Sequence, residues 1–249
     1  MTADAAPKMD PLHHFQVVNW VELPPLLGLD VSISNSVVWM WIAVGVVFLF
    51  FRRALRDPQV VPGRLQSLAE LLYTFVYGVV RDTVGHTGRQ YFLPVFALFL
   101  LVLSCNWTGL LPLSFTPTSQ LVVTATLSLS VFFVATGLGV MKHGVGYLRV
   151  FVPTGAPKFL WPLMIPIEII SFLARPVSLA VRLFANMTAG HTVLAVMFFF
   201  TAALPWFGAW VPFGFTVVFT GVEIFIGAIQ AYIFTILTCV YIHDALHLH

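Results

Sequence analysis

Long apolar stretches, separated by short polar or proline-rich breaks, occupy most of this chain. They predict five membrane helices, at residues 36–51, 91–112, 119–141, 159–201 and 207–242. Residues 91–141 contain no Asp, Glu, Lys, Arg or His, and a membrane span needs only about 20 apolar residues, so two spans fit there. The Pro-rich stretch at 111–118 supplies the turn between them. The pattern therefore predicts an all-α, polytopic membrane protein folded as a single membrane domain.

The segment at residues 63–85 has an amphipathic pattern instead. Its apolar side chains, from Leu65 to Val79, recur at helical spacing, while charged residues such as Glu70 and Arg81 fall between them. Such a helix suits the membrane interface, where its apolar face enters the bilayer and its charges stay in water. Packing of the same face against other protein is an equally open alternative.

The last two apolar helices are unusually long. At 1.5 Å per residue, a helix over residues 159–201 measures roughly 60 Å, about twice the thickness of the hydrocarbon core. It must therefore tilt steeply, bend or break, and Pro162, Pro166 and Pro176 make bends possible. A short turn at 204–206 leads into the final helix, so the two helices are expected to form a long tilted hairpin.

Charge is scarce, and its placement indicates the orientation of the chain. Hydrophobic residues make up 59% and charged residues 9%, which excludes a soluble globular domain, and the net charge of +2 suggests no nucleic acid or acidic soluble partner. The basic residues cluster at 52–89 and 142–158. By the positive-inside rule both clusters are cytoplasmic, which places the acidic tail at 1–35 outside and the C-terminus inside, with only Lys8 opposing. Residues 1–30 lack a signal-peptide pattern, so the N-terminus is expected to be retained.

Charged and amide side chains inside the apolar helices carry the candidate chemistry, because an unpaired Arg at the bilayer centre costs at least ~2.5 kcal/mol. At 100° per residue, four of them lie within about 40° on one stripe: Glu168, Arg175, Arg182 and Asn186. Such a stripe is either a buried salt-bridge seam or an aqueous ion path. Since a guanidinium group keeps its proton at any physiological pH, Arg182 is expected to act as a fixed positive charge rather than as a proton relay.

The last helix carries one acidic residue within its apolar run, Glu223, on the same face as Gly227 and Gln230. Its carboxyl group can titrate, and a lone Glu within a membrane is more often functional than structural. His191 is the second titratable group, with a hydrogen-bonded core histidine as the alternative interpretation. Because His191 lies opposite Arg182 on its helix, we expect it to meet Glu223 across the final helix pair and to admit protons from the outer side with it.

The remaining histidines and the cysteines predict no metal site and no disulfide. His243, His247 and His249, with Asp244, have a spacing that could bind a transition metal, but a solvated tail after the last apolar run explains them more simply. Cys105 and Cys239 both lie in apolar runs, which argues against a disulfide framework or a thiolate site. Nothing resembles a phosphate-cradling Gly-rich loop, so neither a nucleotide nor any other cofactor is predicted.

Segment 178–190, SLAVRLFANMTAG, closely resembles the signature of ATP synthase subunit a. Four more segments resemble the same family, in the same order along the chain: DPLHHF at 10–15, VPGRLQSLAE at 61–70, NWTGLLP at 106–112 and IQAYIFTILT at 229–238. The resemblance therefore covers most of the chain, and its signature segment is highly specific.

The resemblance implies a proton-translocating stator subunit of a rotary ATP synthase, not itself catalytic, in the inner membrane of a bacterium. It implies that Arg182 faces the ring of c subunits with Asn186 and Gln230 near it, and that Glu168 and Ser178 help line a half-channel. Two offset half-channels, separated by Arg182, would pass protons by way of a ring carboxylate. The implied partners are the c ring, b-type peripheral stalk subunits, the soluble ATPase head and the lipid bilayer.

One departure from the family pattern concerns His191 and Glu223. Many bacterial members carry Glu at the first position and His at the second, so the pair is exchanged here. The two positions still carry one imidazole and one carboxyl group between them, but the order in which they transfer the proton is left open.

Two other function classes compete with this interpretation. One is a proton- or cation-coupled transporter whose Arg182 binds an anionic substrate, and the other is a membrane metalloenzyme built on the histidines. The lack of an internal repeat in the sequence disfavours the transporter. A metalloenzyme should place several histidines in the apolar helices, and only His191 lies clearly within them.

Overall fold

Six α-helices make up most of the described residues of the computed structural model. They are α1 (Asn35–Ala54), α2 (Arg64–Val84), α3 (Phe92–Thr108), α4 (Leu121–His143), α5 (Trp161–Ala203) and α6 (Trp206–Leu246). An antiparallel pair of short strands, β1 (Asn19–Val21) and β2 (Ile33–Ser34), precedes α1 within the predicted outer tail. Short 3-10 turns occupy His86–Tyr91, Pro117–Ser119 and Lys158–Leu160. The structure describes residues 19–21, 32–111, 114–144, 146–147 and 158–247.

Several sequence expectations fall outside these described residues. They concern the acidic side chains of the N-terminal tail, Lys8, the segment at 10–15, Arg149 and His249. The placement of the basic loop at 142–158 is likewise described only at its two ends.

Five of the six helices in the described chain are long and apolar enough to cross a membrane, namely α1, α3, α4, α5 and α6. The remaining helix, α2, buries Ala69, Val76, Val80 and Val84 at helical spacing, contacts α3 and α6, and exposes its other face. The predicted all-α fold, with five membrane helices and one amphipathic helix, is therefore confirmed.

The apolar core joins α2, α3, α4, α5 and α6. It includes Val80 from α2, Val102 from α3, Leu183 from α5 and Phe234 from α6, each at most 1% exposed. Lipid tails are as apolar as these side chains, so the bundle is stabilised by close packing and interhelical hydrogen bonds rather than by the exclusion of water.

The last two helices, α5 and α6, are unbroken over 43 and 41 residues and contact one another. Pro166 and Pro176 lie inside α5 and Pro212 lies inside α6 without ending either helix, while Pro205 caps the start of α6. At 1.5 Å per residue each helix is about 60 Å long, so neither crosses a bilayer upright. The prediction of a long pair of final helices in contact is confirmed.

Two helix ends lie four residues from the predicted ends, at residues 112 and 242. α3 ends earlier, at Thr108, because tight turns replace the helical hydrogen bonds after it: the Leu110 amide donates to the Trp107 carbonyl and the Leu111 amide to the Thr108 carbonyl. α6 continues to Leu246, because Lys142 Nζ at the end of α4 donates to the Leu246 carbonyl oxygen at 2.9 Å. A cation at a helix C-terminus satisfies the last carbonyl groups and complements the helix dipole.

Candidate functional site

His191 and Glu223 meet where α5 contacts α6. Nε2 of His191 lies 3.7 Å from Oε1 of Glu223, and the Glu223 side chain is 2% exposed against 16% for His191. Both carboxyl oxygens of Glu223 are buried and have no hydrogen-bond partner among the described residues. A separation of 3.7 Å is slightly longer than a direct hydrogen bond, so a side-chain shift of about 1 Å would join the two groups.

Gly190 lets the Glu223 carboxyl group approach α5 this closely. A Cβ atom at residue 190 would lie 2.5 Å from Oε1 and 2.9 Å from Cδ of Glu223, well inside van der Waals contact. Only glycine leaves this space open. The residue next to the histidine therefore determines whether the carboxyl group can reach it.

Thr116 joins the pair from the connection between α3 and α4. Its Oγ1 atom lies 2.8 Å from Nε2 of His191, and the imidazole tautomer decides which of the two atoms donates the proton. Thr116 is buried against Gly109, where any Cβ atom would overlap the threonine side chain. Nε2 of His191 is thus placed between a hydroxyl group and a carboxyl group.

Asn106 and Trp107, near the end of α3, hold α6 in its rotational position. Asn106 Nδ2 donates to the Gly227 carbonyl oxygen at 3.1 Å, and Trp107 Nε1 donates to the Ile224 carbonyl oxygen at 3.1 Å. Interhelical hydrogen bonds of this kind fix helices within a membrane. Since both bonds fall within one turn of Glu223, they help to direct its side chain toward α5.

Arg182, Asn186 and Gln230 lie further along the same helix pair. Asn186 Nδ2 donates to Gln230 Oε1 at 3.1 Å, which joins α5 to α6, and Gln230 is 2% exposed. Arg182 is exposed one turn before Asn186, and its guanidinium group takes part in no hydrogen bond or ion pair within the part of the chain that the structure describes. A full positive charge therefore stands on the outside of the bundle, beside an amide pair.

Arg175 is paired with Asp244 of α6 rather than with Glu168. Its Nη1 atom donates to Oδ2 of Asp244 at 3.0 Å, and its guanidinium carbon lies 5.9 Å from the centre of the Tyr241 ring. The two charged side chains are 34% and 42% exposed, so the pair contributes at most about 1 kcal/mol. Glu168 is half-buried and Ser178 is exposed, and among the described residues no ion pair joins either of them to the other groups. Arg175 therefore takes part in a salt bridge between helices, as the seam interpretation expects. The four polar residues of the stripe do not form a single network of ion pairs and hydrogen bonds among the described residues.

The C-terminal histidines stack on one another instead of converging with a third metal ligand. The rings of His243 and His247 have centroids 4.6 Å apart, while Asp244 is engaged with Arg175. Over the described ranges, no group of three or more His, Cys, Asp or Glu side chains is placed to hold a metal ion. The two cysteines are free and buried.

Sequence reasoning did not single out Thr116, Asn106 or Trp107 as partners of the last two helices. The available signal is the run of hydroxyl and amide side chains at 114–120, next to spans without charges. Buried polar groups in such a position need partners, and Thr118 Oγ1 indeed donates to Asn106 Oδ1 at 2.8 Å. Which residue of α5 or α6 the run reaches depends on packing between distant segments, which helical phase alone does not specify.

Fold and site together define a class: a multi-pass helical membrane protein in which two long helices carry a fixed charge, an amide pair and a buried titratable pair. The profile of the family described as "ATP synthase A chain" matches residues 37–243. The chain belongs to the ATP synthase subunit a family.

The sequences of its relatives align with almost the full length of the chain. ATP synthase subunit a of Magnetococcus marinus is 62% identical over 99% of this chain and 96% of its own length. The subunits of Rhodospirillum rubrum and Pelagibacter ubique are 46% and 44% identical, each over 96% of this chain and over 99% and 98% of their own lengths. The chain is therefore a membrane-embedded, non-catalytic, proton-translocating stator subunit of an ATP synthase complex.

Proposed function

We propose that α5 and α6 provide two offset aqueous half-channels to the carboxylates of a ring of c subunits, and that Arg182 separates the two. The observation that carries this proposal is the exposed guanidinium group of Arg182, which has no ionic partner within the described residues. An Arg in the middle of a 43-residue apolar helix is costly unless a partner outside the chain compensates it. A ring carboxylate is such a partner.

The fixed positive charge of Arg182 explains why proton flow is coupled to rotation of the ring and why protons do not pass directly between the half-channels. A ring carboxylate facing lipid must be neutral, because an isolated charge in hydrocarbon is prohibitively costly. Beside Arg182 the ionised form is favoured, so the carboxyl group releases its proton before it passes. Since Arg182 itself cannot give up a proton, no proton crosses between the half-channels without rotation of the ring. The amide pair Asn186–Gln230 positions the two helices at this point.

The outer half-channel runs through His191 and Glu223. The imidazole and the carboxyl group are close enough to exchange a proton after a small side-chain shift, and Thr116 presents a hydroxyl group to the same imidazole nitrogen. The exposed fraction of His191, 16% against 2% for Glu223, favours His191 as the group nearer to water. Protons then pass from this pair toward the ring on the Asn186 side of Arg182.

The inner half-channel lies on the other side of Arg182 along α5. Ser178 is one turn away, and Glu168 is about 21 Å away at 1.5 Å per residue. Both carry oxygen atoms suited to a water-filled path. Arg175, held by Asp244 and Tyr241, fixes the end of α6 beside this path and adds a positive charge at its wall.

The proposed orientation places the N-terminus on the outer, periplasmic side of a bacterial inner membrane and the C-terminus in the cytoplasm. Arg52 and Arg53 in the last turn of α1 and Lys142 in the last turn of α4 then lie on the cytoplasmic side. The proposed partners are the c ring, b-type peripheral stalk subunits and, through them, the soluble ATPase head. The amphipathic helix α2 then lies at the cytoplasmic membrane interface.

Reconstitution separates this function from that of a secondary transporter. The purified chain is combined with a c ring, stalk subunits and the soluble ATPase in vesicles, and ATP-driven acidification is followed with a fluorescent dye. We expect acidification only with the complete set, and no solute movement by the purified chain alone. Solute uptake by the chain alone, without coupling in the full assembly, would favour the transporter and contradict the proposal.

A further inference from the structure

A hollow of about 440 Å³ lies at the C-terminal end of α1, lined by Leu49, Arg52, Arg53 and Arg56. Leu49, Arg52 and Arg53 are three and four residues apart in α1, so they leave one face of the helix, and Arg56 follows two residues after the end of α1 at Ala54. All four are exposed. We call this set the α1 basic hollow.

The three guanidinium groups of the α1 basic hollow have no ionic partner among the described residues. In that part of the chain none of them takes part in an ion pair or a hydrogen bond, and the same holds for the neighbouring Asp57. Like charges held close together repel one another, so the cluster favours an anion between them. A phosphate group suits three Arg side chains best, because the planar fork of each guanidinium binds phosphate oxygens in pairs.

The same face of α1 is apolar on the side of the bilayer. Ile42, Val46 and Leu49 follow one another at four and three residues and are 41%, 50% and 58% exposed. The other side of α1 packs on the bundle, where the Phe51 ring meets Phe96 of α3 edge-on at 5.8 Å. A ligand with a phosphate at one end and a hydrocarbon chain at the other matches this face along its whole length. A free phosphate or an acidic peptide would use only the charged end.

We propose that the α1 basic hollow binds the phosphate group of an anionic phospholipid, whose acyl chains lie along Val46 and Ile42. The arginines begin where the apolar run of α1 ends, which is the depth at which headgroup phosphates lie. Their long stems keep the guanidinium groups in the headgroup layer while Leu49 remains in the hydrocarbon. This lipid site lies on a different helix from the proton pathway, and it does not depend on the proposed function.

Native mass spectrometry tests the site. The full-length chain, stripped of lipid in detergent, is titrated with dioctanoyl phosphatidylglycerol, dioctanoyl phosphatidylcholine or glycerol 3-phosphate. We expect preferential binding of phosphatidylglycerol, and a loss of that preference by roughly a hundredfold in the R52Q/R53Q/R56Q variant. The matched variant R64Q/R81Q/R89Q removes the same charge from α2 and the following turn, and it should keep the preference. If the triple variant fails to insert into the membrane, the single variant R53Q is used instead, and we expect its preference for phosphatidylglycerol to fall about fivefold.

Three results would overturn the lipid site. Equal losses in the two triple variants would mean only general attraction between a basic protein and an anionic lipid. Binding of glycerol 3-phosphate as tight as that of phosphatidylglycerol would mean a site for free phosphate. If the isolated chain binds the lipid but the assembled ATP synthase in nanodiscs retains none selectively, an acidic partner subunit covers the hollow instead.

Discussion

A buried carboxyl group next to an imidazole is the most demanding feature of this molecule at the scale of single residues. Removing a carboxylate from water without a hydrogen-bond partner costs on the order of several kcal/mol. Glu223 is 2% exposed, and His191 is the titratable group within 3.7 Å of it. The pair is therefore suited to holding and passing one exchangeable proton, while Thr116 keeps the imidazole in place.

Exchange of the two side chains tests whether they act together. Either single change, His191→Glu or Glu223→His, places two like groups side by side, and we expect each to reduce ATP-driven proton pumping by roughly tenfold or more, since general acid–base groups contribute on this scale. The double variant restores one acid and one imidazole at the same site, so it should recover much of the flux. Dye quenching in inverted vesicles measures this.

The level of assembled complex in each membrane is the control for the exchange. Equal amounts of assembled subunit must be present before rates are compared. A double variant as defective as the worse single variant would mean that the two residues do not act as a pair.

At the scale of helices, Gly190 of α5 leaves the space that the Glu223 side chain of α6 occupies. The Glu223 carboxyl group occupies the space that a Cβ atom at residue 190 would take, at 2.5 Å from Oε1. The end of a flexible side chain can move away more easily than backbone. A methyl group at residue 190 would therefore displace the carboxyl group from His191 rather than separate the helices.

Gly190→Ala should consequently impair proton flux more than stability. We expect pumping to fall several-fold while the complex still assembles and its Tm changes little, because Ala otherwise favours a helix by about 0.5–1 kcal/mol over Gly. Gly137→Ala in α4 is the matched control, since no atom lies within 4 Å of a Cβ at that position. Pumping by Gly190→Ala equal to that of the control would contradict the role given to this contact.

The helices themselves could be predicted from the sequence, because apolar runs of about 20 residues or more span a bilayer as helices, which satisfy their backbone hydrogen bonds within the segment. Helical phase also placed Glu223 and Gln230 on one face, and the structure buries both. The hydrogen bond between Thr116 and His191 could not be predicted, because it joins residues 75 positions apart through packing of a non-helical connection. The pair Arg175–Asp244 could not be predicted either, because the local pattern specifies neither where α6 ends nor its register against α5.

At the scale of the whole molecule, basic side chains are distributed unevenly between the ends of the membrane helices. The ends of α1 and α4 carry basic residues in their last turns, whereas the last turns of α3 and α5 carry none. The positive-inside rule predicts that the helix ends with basic residues lie on the cytoplasmic side. In the proposed function, this orientation sets the side of the membrane from which protons enter.

Cysteine labelling tests the orientation. In a variant without Cys105 and Cys239, which are buried, probes at residues 53–56 and 145–149 should react with a membrane-impermeant maleimide from the cytoplasmic side. Probes at residues 2–8 should react from the outside, and Trp206→Cys, at the exposed turn between α5 and α6, should label with them. Cytoplasmic labelling of the N-terminal probes would refute the orientation.

The most direct test of the central claim is ATP-driven proton pumping by Arg182 variants of the assembled complex. Arg182→Ala removes the fixed charge but little packing, since the side chain is exposed, so we expect normal assembly and no pumping. Arg182→Lys should fail as well, because Lys lacks the planar fork and loses its proton more readily when desolvated. Arg89→Ala, at an exposed arginine outside the helix pair, should pump normally. Pumping at the wild-type rate in an assembled Arg182→Ala complex would contradict the account.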